Sequence, residues 1–384
     1  MKKKLLWKTT AIFMPFLLFI TGCADVGPRQ LPIYQNNYNN SINYGLNQEL
    51  LLNIVRLAYD DTPYFLSVSS ISAQMDLTVS ANGNATYTKN FPTSPNYATS
   101  TGNYSIGPNI SYTQTPTITY TPIQGDEFTH RMLAPVDIDA LNSFSAWSIQ
   151  RTLRLIVQSV GPFDDAENAI RATSHLAPVN YQQFLDFALL LRILQENSKV
   201  EIFVINTPNQ TQVNNRAQNN ILGHASRAIE ADFKDMQDPD TRKLFAMLGV
   251  PTTNNKIIFI ESNHHGVSDN VVDIRTRSFL GILYYLSKGV EIPPEQLKDE
   301  SMVISRNPDG TVFDWQKITQ GVIKVHYSRT LPRNAAIAVY YNDYWFYVAK
   351  NDHDSRKTFA MLSQLYALFS KDVSGNGPVL TLPV

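Results

Sequence analysis

The chain has 384 residues, a formal net charge of −1, and 43% hydrophobic against 17% charged residues. That length allows two or three domains with sizeable cores. The near-neutral balance argues against a strongly basic nucleic-acid binder, and a lone cysteine, Cys23, rules out an intrachain disulfide.

The N-terminus carries the most specific signal. Met1 to Lys4 with Lys8 form a basic segment, and Ala11 to Ile20 an apolar one that contains Pro15. The apolar run is too short for a comfortable membrane span and has the layout of a secretory signal. It ends in Ile20-Thr21-Gly22-Cys23, which resembles the lipobox of bacterial lipoproteins. The resemblance covers residues 1–23. It implies cleavage between Gly22 and Cys23, a covalent lipid on Cys23, and a membrane anchor through that acyl group. Ala24 stands where lipoproteins kept at the inner membrane typically have Asp, so the resemblance implies the outer membrane, periplasmic face. Removing residues 1–22 takes four lysines and no acids, which leaves the remaining chain near −5.

Residues 23–43 are rich in Asn, Gln, Tyr and Pro and read as an extended tether. Residues 44–74 hold an amphipathic helix, capped by Ser41 or Asn43 and striped by Leu46, Leu50, Ile54 and Leu57. Asp60-Asp61-Thr62-Pro63 ends it and an apolar entry strand follows. Residues 75–125 form an uncharged insertion. From Pro63 to Gly125 only Asp76 and Lys89 are charged, where the chain average predicts about eleven, so this is a separate structural unit.

Residues 126–290 read as a helix-rich α+β domain. Helices are expected from Asp137 or Asp139 to Val160, from Tyr181 to Glu196, from Ile221 to Met236, from Thr241 to Leu248 and from Val271 to Leu286. Strands are expected at Val200–Ile205 and Ile257–Ile260, with a polar loop over Asn206–Asn220. Residues 291–384 read as a β-rich C-terminal part. Its strands are placed at Met302–Ser305, Gly321–Tyr327, Ala335–Tyr341, Tyr344–Val348 and Pro378–Val384. Asn342-Asp343 makes a hairpin turn, and a helix capped by Asp352 or Asp354 runs to Phe369. Helices and strands mix without a βαβ rhythm, so the fold class is α+β, with mostly antiparallel strands and an alternating β-hairpin insertion.

That insertion is the most informative stretch. From Met75 to Phe91 apolar residues occupy odd positions, and from Tyr104 to Pro122 they occupy even ones. The opposite parity carries Ser, Thr and Asn, with Asp76. Tyr87, Phe91, Tyr104, Ile106, Ile110, Tyr112, Ile118 and Tyr120 are the residues placed to contact a membrane or a partner. Two architectures fit. In one, two long strands cross a bilayer as part of an oligomeric pore. In the other, turns at Asn82–Asn84 and Gly107–Asn109 make four short strands that dock on a partner. Pro108, Pro116 and Pro122 favour the short-strand sheet, because a central strand tolerates proline poorly.

Other candidates are weaker. Glu261, His264 and His265 could ligate a metal, but their spacing fits a solvated loop better. Asp352-His353-Asp354-Ser355 is explained by helix capping. Tyr340, Tyr341, Tyr344, Trp345, Phe346 and Tyr347 read as a sheet core with one exposed aromatic face. No phosphate loop, nucleophile elbow or paired-carboxylate signature is present. The expectation is therefore a non-enzymatic, lipid-anchored subunit of an outer-membrane-associated assembly of secretion or export type. It takes no cofactor beyond the lipid, and its partners are further copies or envelope proteins. An oligomeric pore is the alternative, and a periplasmic hydrolase a distant third.

Overall fold

The structure, a computed structural model, describes residues 31–90, 99–123, 125–138, 141, 147–166, 177–178, 181–206, 227–261, 267–298, 304–370 and 380–383. The fold is α+β. Two compact units emerge. Unit 1 takes the described residues up to Pro63 and those of Thr129–Ser370; unit 2 takes Tyr64–Phe128 and the described end of the chain. The described residues of 75–125 fall within unit 2, which starts earlier, at Tyr64, and takes in the last strand. The boundary expected at residue 290 is absent, since both sides of it belong to unit 1.

Unit 1 opens with α1 (Leu31–Ala58). The helix begins at Leu31 rather than near Asn43, so residues 31–43 are not an extended tether. Pro32 suits a first helical turn, and amides support the next ones: Asn47 donates to the Asn43 carbonyl at 2.9 Å. Its later turns bury Leu50, Ile54 and Leu57 of the expected stripe, with Leu51 and Val55 beside them, while Leu46 is half-buried.

Next come α3 (Ile149–Ile156), β3 (Val157–Val160), β4 (Phe163–Asp164), α4 (Tyr181–Glu196) and β5 (Val200–Asn206); α2 is named with unit 2. Then follow β6 (Arg227–Phe233), α5 (Pro239–Leu248), β7 (Lys256–Glu261), β8 (Val267–Ser268), β9 (Val271–Thr276) and α6 (Phe279–Ser287). The strands form a seven-stranded sheet in the order β4-β3-β9-β7-β6-β5, with β8 on β9. All its pairs are antiparallel except β7 with β9.

Three expected helical segments are strands here. Val157–Val160, Arg227–Phe233 and Val271–Thr276 have burial that alternates or nearly so, and each pairs with neighbours on the sheet. For β6 the helix formers Ala228, Glu230 and Ala231 lose to pairing with β5 on one side and β7 on the other.

The rest of unit 1 is α7 (Gln316–Thr319), β10 (His326–Ser328), β11 (Ala335–Tyr341), β12 (Tyr344–Ala349) and α8 (His353–Ser370). The second sheet has the order β10-β12-β11, and α1 packs on β11. Asn342 and Asp343 both have positive φ (43° and 68°), as a two-residue hairpin turn requires. Ile304–Ser305 is not a strand, and of Gly321–Tyr327 only the end joins β10. Asp352 caps α8, accepting from the Ser355 N–H at 3.0 Å.

One polar cluster sits inside this core. Arg277 and Asp165 are fully buried and paired at 3.1 Å. Arg277 also donates to the carbonyls of Arg154 at 3.0 Å, Val157 at 2.6 Å and Asp165, and lies 4.3 Å from the Tyr285 ring centroid. Burial raises the Asp165 carboxyl, and the nearby Arg277 and Arg154 pull it back. The arginine thereby ties the end of β9 to α3, β3 and the turn after β4.

Buried and half-buried tyrosines give unit 1 an alkaline limit. Burial pushes Tyr285 up to about 12, and burial with the Asp61 carboxylate does the same to Tyr341. Burial also raises Tyr59 and Tyr366. Folded values above the unfolded one mean this stability is complete below pH ~10 and is lost as pH rises toward ~12. Tyrosinate absorbance and far-UV circular dichroism are expected to change together across that window. Ionisation of all nineteen tyrosines near pH ~10 with the fold intact would contradict this.

Unit 2 contains β1 (Leu66–Asn90), β2 (Thr99–Pro122), α2 (Asp126–Leu133), whose first residues belong to it, and β13 (Leu380–Pro383). Phe65 and Phe128 meet edge-to-face at 5.8 Å at its base.

Candidate functional site

The hairpin is two long strands, not four short ones. β1 pairs with β2 from Leu66↔Pro122 to Asn90↔Thr99, with one register shift, between Val68 and Ser70. At ~3.3 Å per residue, strands of 25 and 24 residues run for about 80 Å. The turns expected at Asn82–Asn84 and Gly107–Asn109 do not form. Instead both turn-prone triplets run on mid-strand and meet at a single rung, Asn82↔Gly107, with Gly83↔Ile106 and Asn84↔Ser105 on one side of it and Ala81↔Pro108 and Ser80↔Asn109 on the other.

The register sorts the residues onto two faces. One carries Ile71↔Ile118, Leu77↔Tyr112, Val79↔Ile110, Ala81↔Pro108 and Ala85↔Tyr104. The other carries Ser72↔Thr117, Gln74↔Thr115, Asp76↔Thr113, Thr78↔Ser111 and Thr86↔Asn103. Leu66 and Val68 lie on even positions, whereas Ile71 and Ala73 lie on odd ones. The ladder absorbs that slip with a bulge between Val68 and Ser70, which keeps Val68↔Tyr120 and Ile71↔Ile118 on the same face. Of the expected contact residues, Tyr87, Tyr104, Ile106, Ile110, Tyr112, Ile118 and Tyr120 all share that face through the register; Phe91 lies outside the described residues.

The prolines follow the edge. The Ile123 N–H donates to the Phe65 carbonyl at 3.1 Å. Odd-numbered residues of β2 therefore turn their N–H toward β1, and even-numbered ones turn it outward. Pro108, Pro116 and Pro122 are all even, so none removes a bond from the hairpin. This reverses the expectation that they break the strand. β2 is an edge strand for most of its length, and its missing donors lie on the outer side. β13 uses the one stretch between the last two prolines, pairing Leu380↔Tyr120 and Leu382↔Ile118. β1 has no proline from Leu66 to Asn90.

Of the other candidates, Glu261, Asp352–Ser355 and the aromatic hairpin fall on described residues. His264 and His265 lie outside the described residues. Glu261 ends β7, and its carboxyl is raised by desolvation and by the charge of Asp137. No cluster of metal-binding side chains forms among the described residues. The aromatic hairpin β11–β12 has the expected two sides: Tyr344 and Phe346 are buried, while Tyr340 is exposed and stacks at 5.4 Å on Trp345. A cavity of about 370 Å³ contains Lys288, whose ammonium lies 5.6 Å from the Trp315 ring centroid and is pulled down by burial. No described helix is long and apolar enough to cross a membrane. Set against protein-family models, curated proteins and solved structures, the chain finds no match.

Proposed function

We propose that this chain is a lipid-anchored, non-enzymatic subunit of an outer-membrane-associated assembly of secretion or export type. Its acyl group sits on Cys23, its body faces the periplasm, and the long hairpin is the part that assembles. The observation that carries this reading is the long β1–β2 ladder, bulged only between Val68 and Ser70, with one largely apolar face and one Ser/Thr/Asn-rich face. A two-stranded ribbon is marginal in water. One ~80 Å long with an apolar face needs further copies or an envelope partner to cover it.

The test of the anchor is direct. Cys23→Ser moves the protein from the membrane to the soluble fraction, and globomycin blocks maturation of the unmodified chain. Unchanged fractionation of Cys23→Ser overturns the anchor.

A pore is the second reading. Strand length favours it, since a membrane-crossing strand needs only about 9–11 residues. A closed barrel must use both edges of every hairpin, and the outer edge of β2 lacks donors at Pro108, Pro116 and Pro122. Those prolines place the pore second. Conductance in planar bilayers that disappears on removal of residues 67–121 would raise it to first.

A further inference from the structure

We infer that the outer edge of β1 is a strand-addition site whose occupant is β1 of a second copy, joined antiparallel about a two-fold axis near Val79. The inference rests on the proposed assembly role and specifies its contact.

The two edges of the hairpin differ in kind. Along β2, proline interrupts the outward donors at 108, 116 and 122, and β13 fills the interval from Thr117 to Tyr120. Pro383 of β13 stands opposite Thr117, where its absent N–H would point away from β2. Proline at outward positions is a recurrent protection of sheet edges. β1 has none, so its outward N–H and C=O groups are free of proline for the whole strand. Among the described residues no strand pairs with that edge, and proteins pair or guard an edge of such length.

Parity then selects the geometry. Beyond the bulge, the outward groups of β1 belong to its odd residues, which are those of the apolar face. Pairing odd with odd residues of a second β1 therefore continues the apolar face across the joint without a register slip. With the axis at Val79, Leu77 pairs with Ala81 of the second copy and Met75 with Gly83, so the bulky half of one strand meets the small half of the other. Asp76 meets Asn82, and no like charges oppose each other. A closed two-fold contact is also the commonest way for identical chains to associate.

A single-cysteine scan of the membrane-associated full chain tests this. Cysteines are introduced one at a time at 75–84 in β1 and at 100–114 in β2, followed by oxidation and non-reducing electrophoresis. The unaltered chain, whose only cysteine is Cys23, is the background. Covalent dimers are expected from β1 positions, with a maximum at Val79→Cys or its immediate neighbours and a decline toward both ends. Dimers from β2 positions, or none from β1 in a protein that is still oligomeric in mild detergent, overturn the inference and leave the assembly reading intact. A monomer in mild detergent overturns both.

Discussion

Val79→Pro is expected to leave the hairpin paired and to lower its self-association, whereas Thr78→Pro damages the hairpin itself. The two positions are adjacent, and their backbones face opposite ways. Thr78 pairs with Ser111 at an inward rung, so proline there removes a ladder donor and orphans the Ser111 carbonyl. The loss is about 1–3 kcal/mol of hairpin stability. Val79 pairs with Ile110 at an outward rung, equivalent to the one Pro108 occupies on β2. Proline there removes no hairpin bond and puts its ring where an added strand would dock. Hydrogen exchange of the hairpin amides, read beside the oligomer population in mild detergent, separates the outcomes. Equal exchange and equal oligomer in both variants would show that the β1 edge takes no part in assembly.

Arg277→Met is expected to destabilise unit 1 by about 3–5 kcal/mol, the usual result of stripping the partner from a buried charge. The methionine fills much of the volume but leaves Asp165 buried without its ion pair, along with the carbonyls of Arg154 and Val157. The double variant Arg277→Met, Asp165→Leu recovers part of the loss, because an apolar pair of similar size leaves no buried charge. Denaturant unfolding measures both. A loss under ~1 kcal/mol in the single variant would mean that water reaches Asp165 and that the cluster is not closed.

The hairpin was legible as strands because its alternation is long and its polar face lacks charge. Its continuity was not, since Asn82-Gly83-Asn84 and Gly107-Pro108-Asn109 each carry local turn chemistry. Only the register shows that each triplet sits mid-strand, paired rung by rung with the other strand, so that pairing overrides both. The Ser69 bulge, by contrast, was written in the chain as the parity slip between Val68 and Ile71. The prolines misled for a related reason: their effect depends on which edge their nitrogen faces, and one strand read alone does not fix its edges.

In unit 1, α4 matches its expected bounds because its apolar stripe is long and ends are marked. β6 and β9 read as helix because segments of six or seven residues that mix apolar and charged positions look alike in helix and strand until their neighbours are known. Arg277 gave no signal at all, since an arginine in sequence carries no mark of burial.

The native mass of the protein after mild-detergent extraction bears most directly on the hairpin as the assembling element. Leu66 and Pro122 are paired neighbours and the Phe65–Ile123 bond closes the base, so residues 67–121 can be replaced by a short turn without separating the ends of unit 2. The full chain is expected at a multiple of its single-chain mass, and the hairpin-less chain at that of a monomer with unit 1 still folded. An identical oligomer with and without the hairpin would contradict the account.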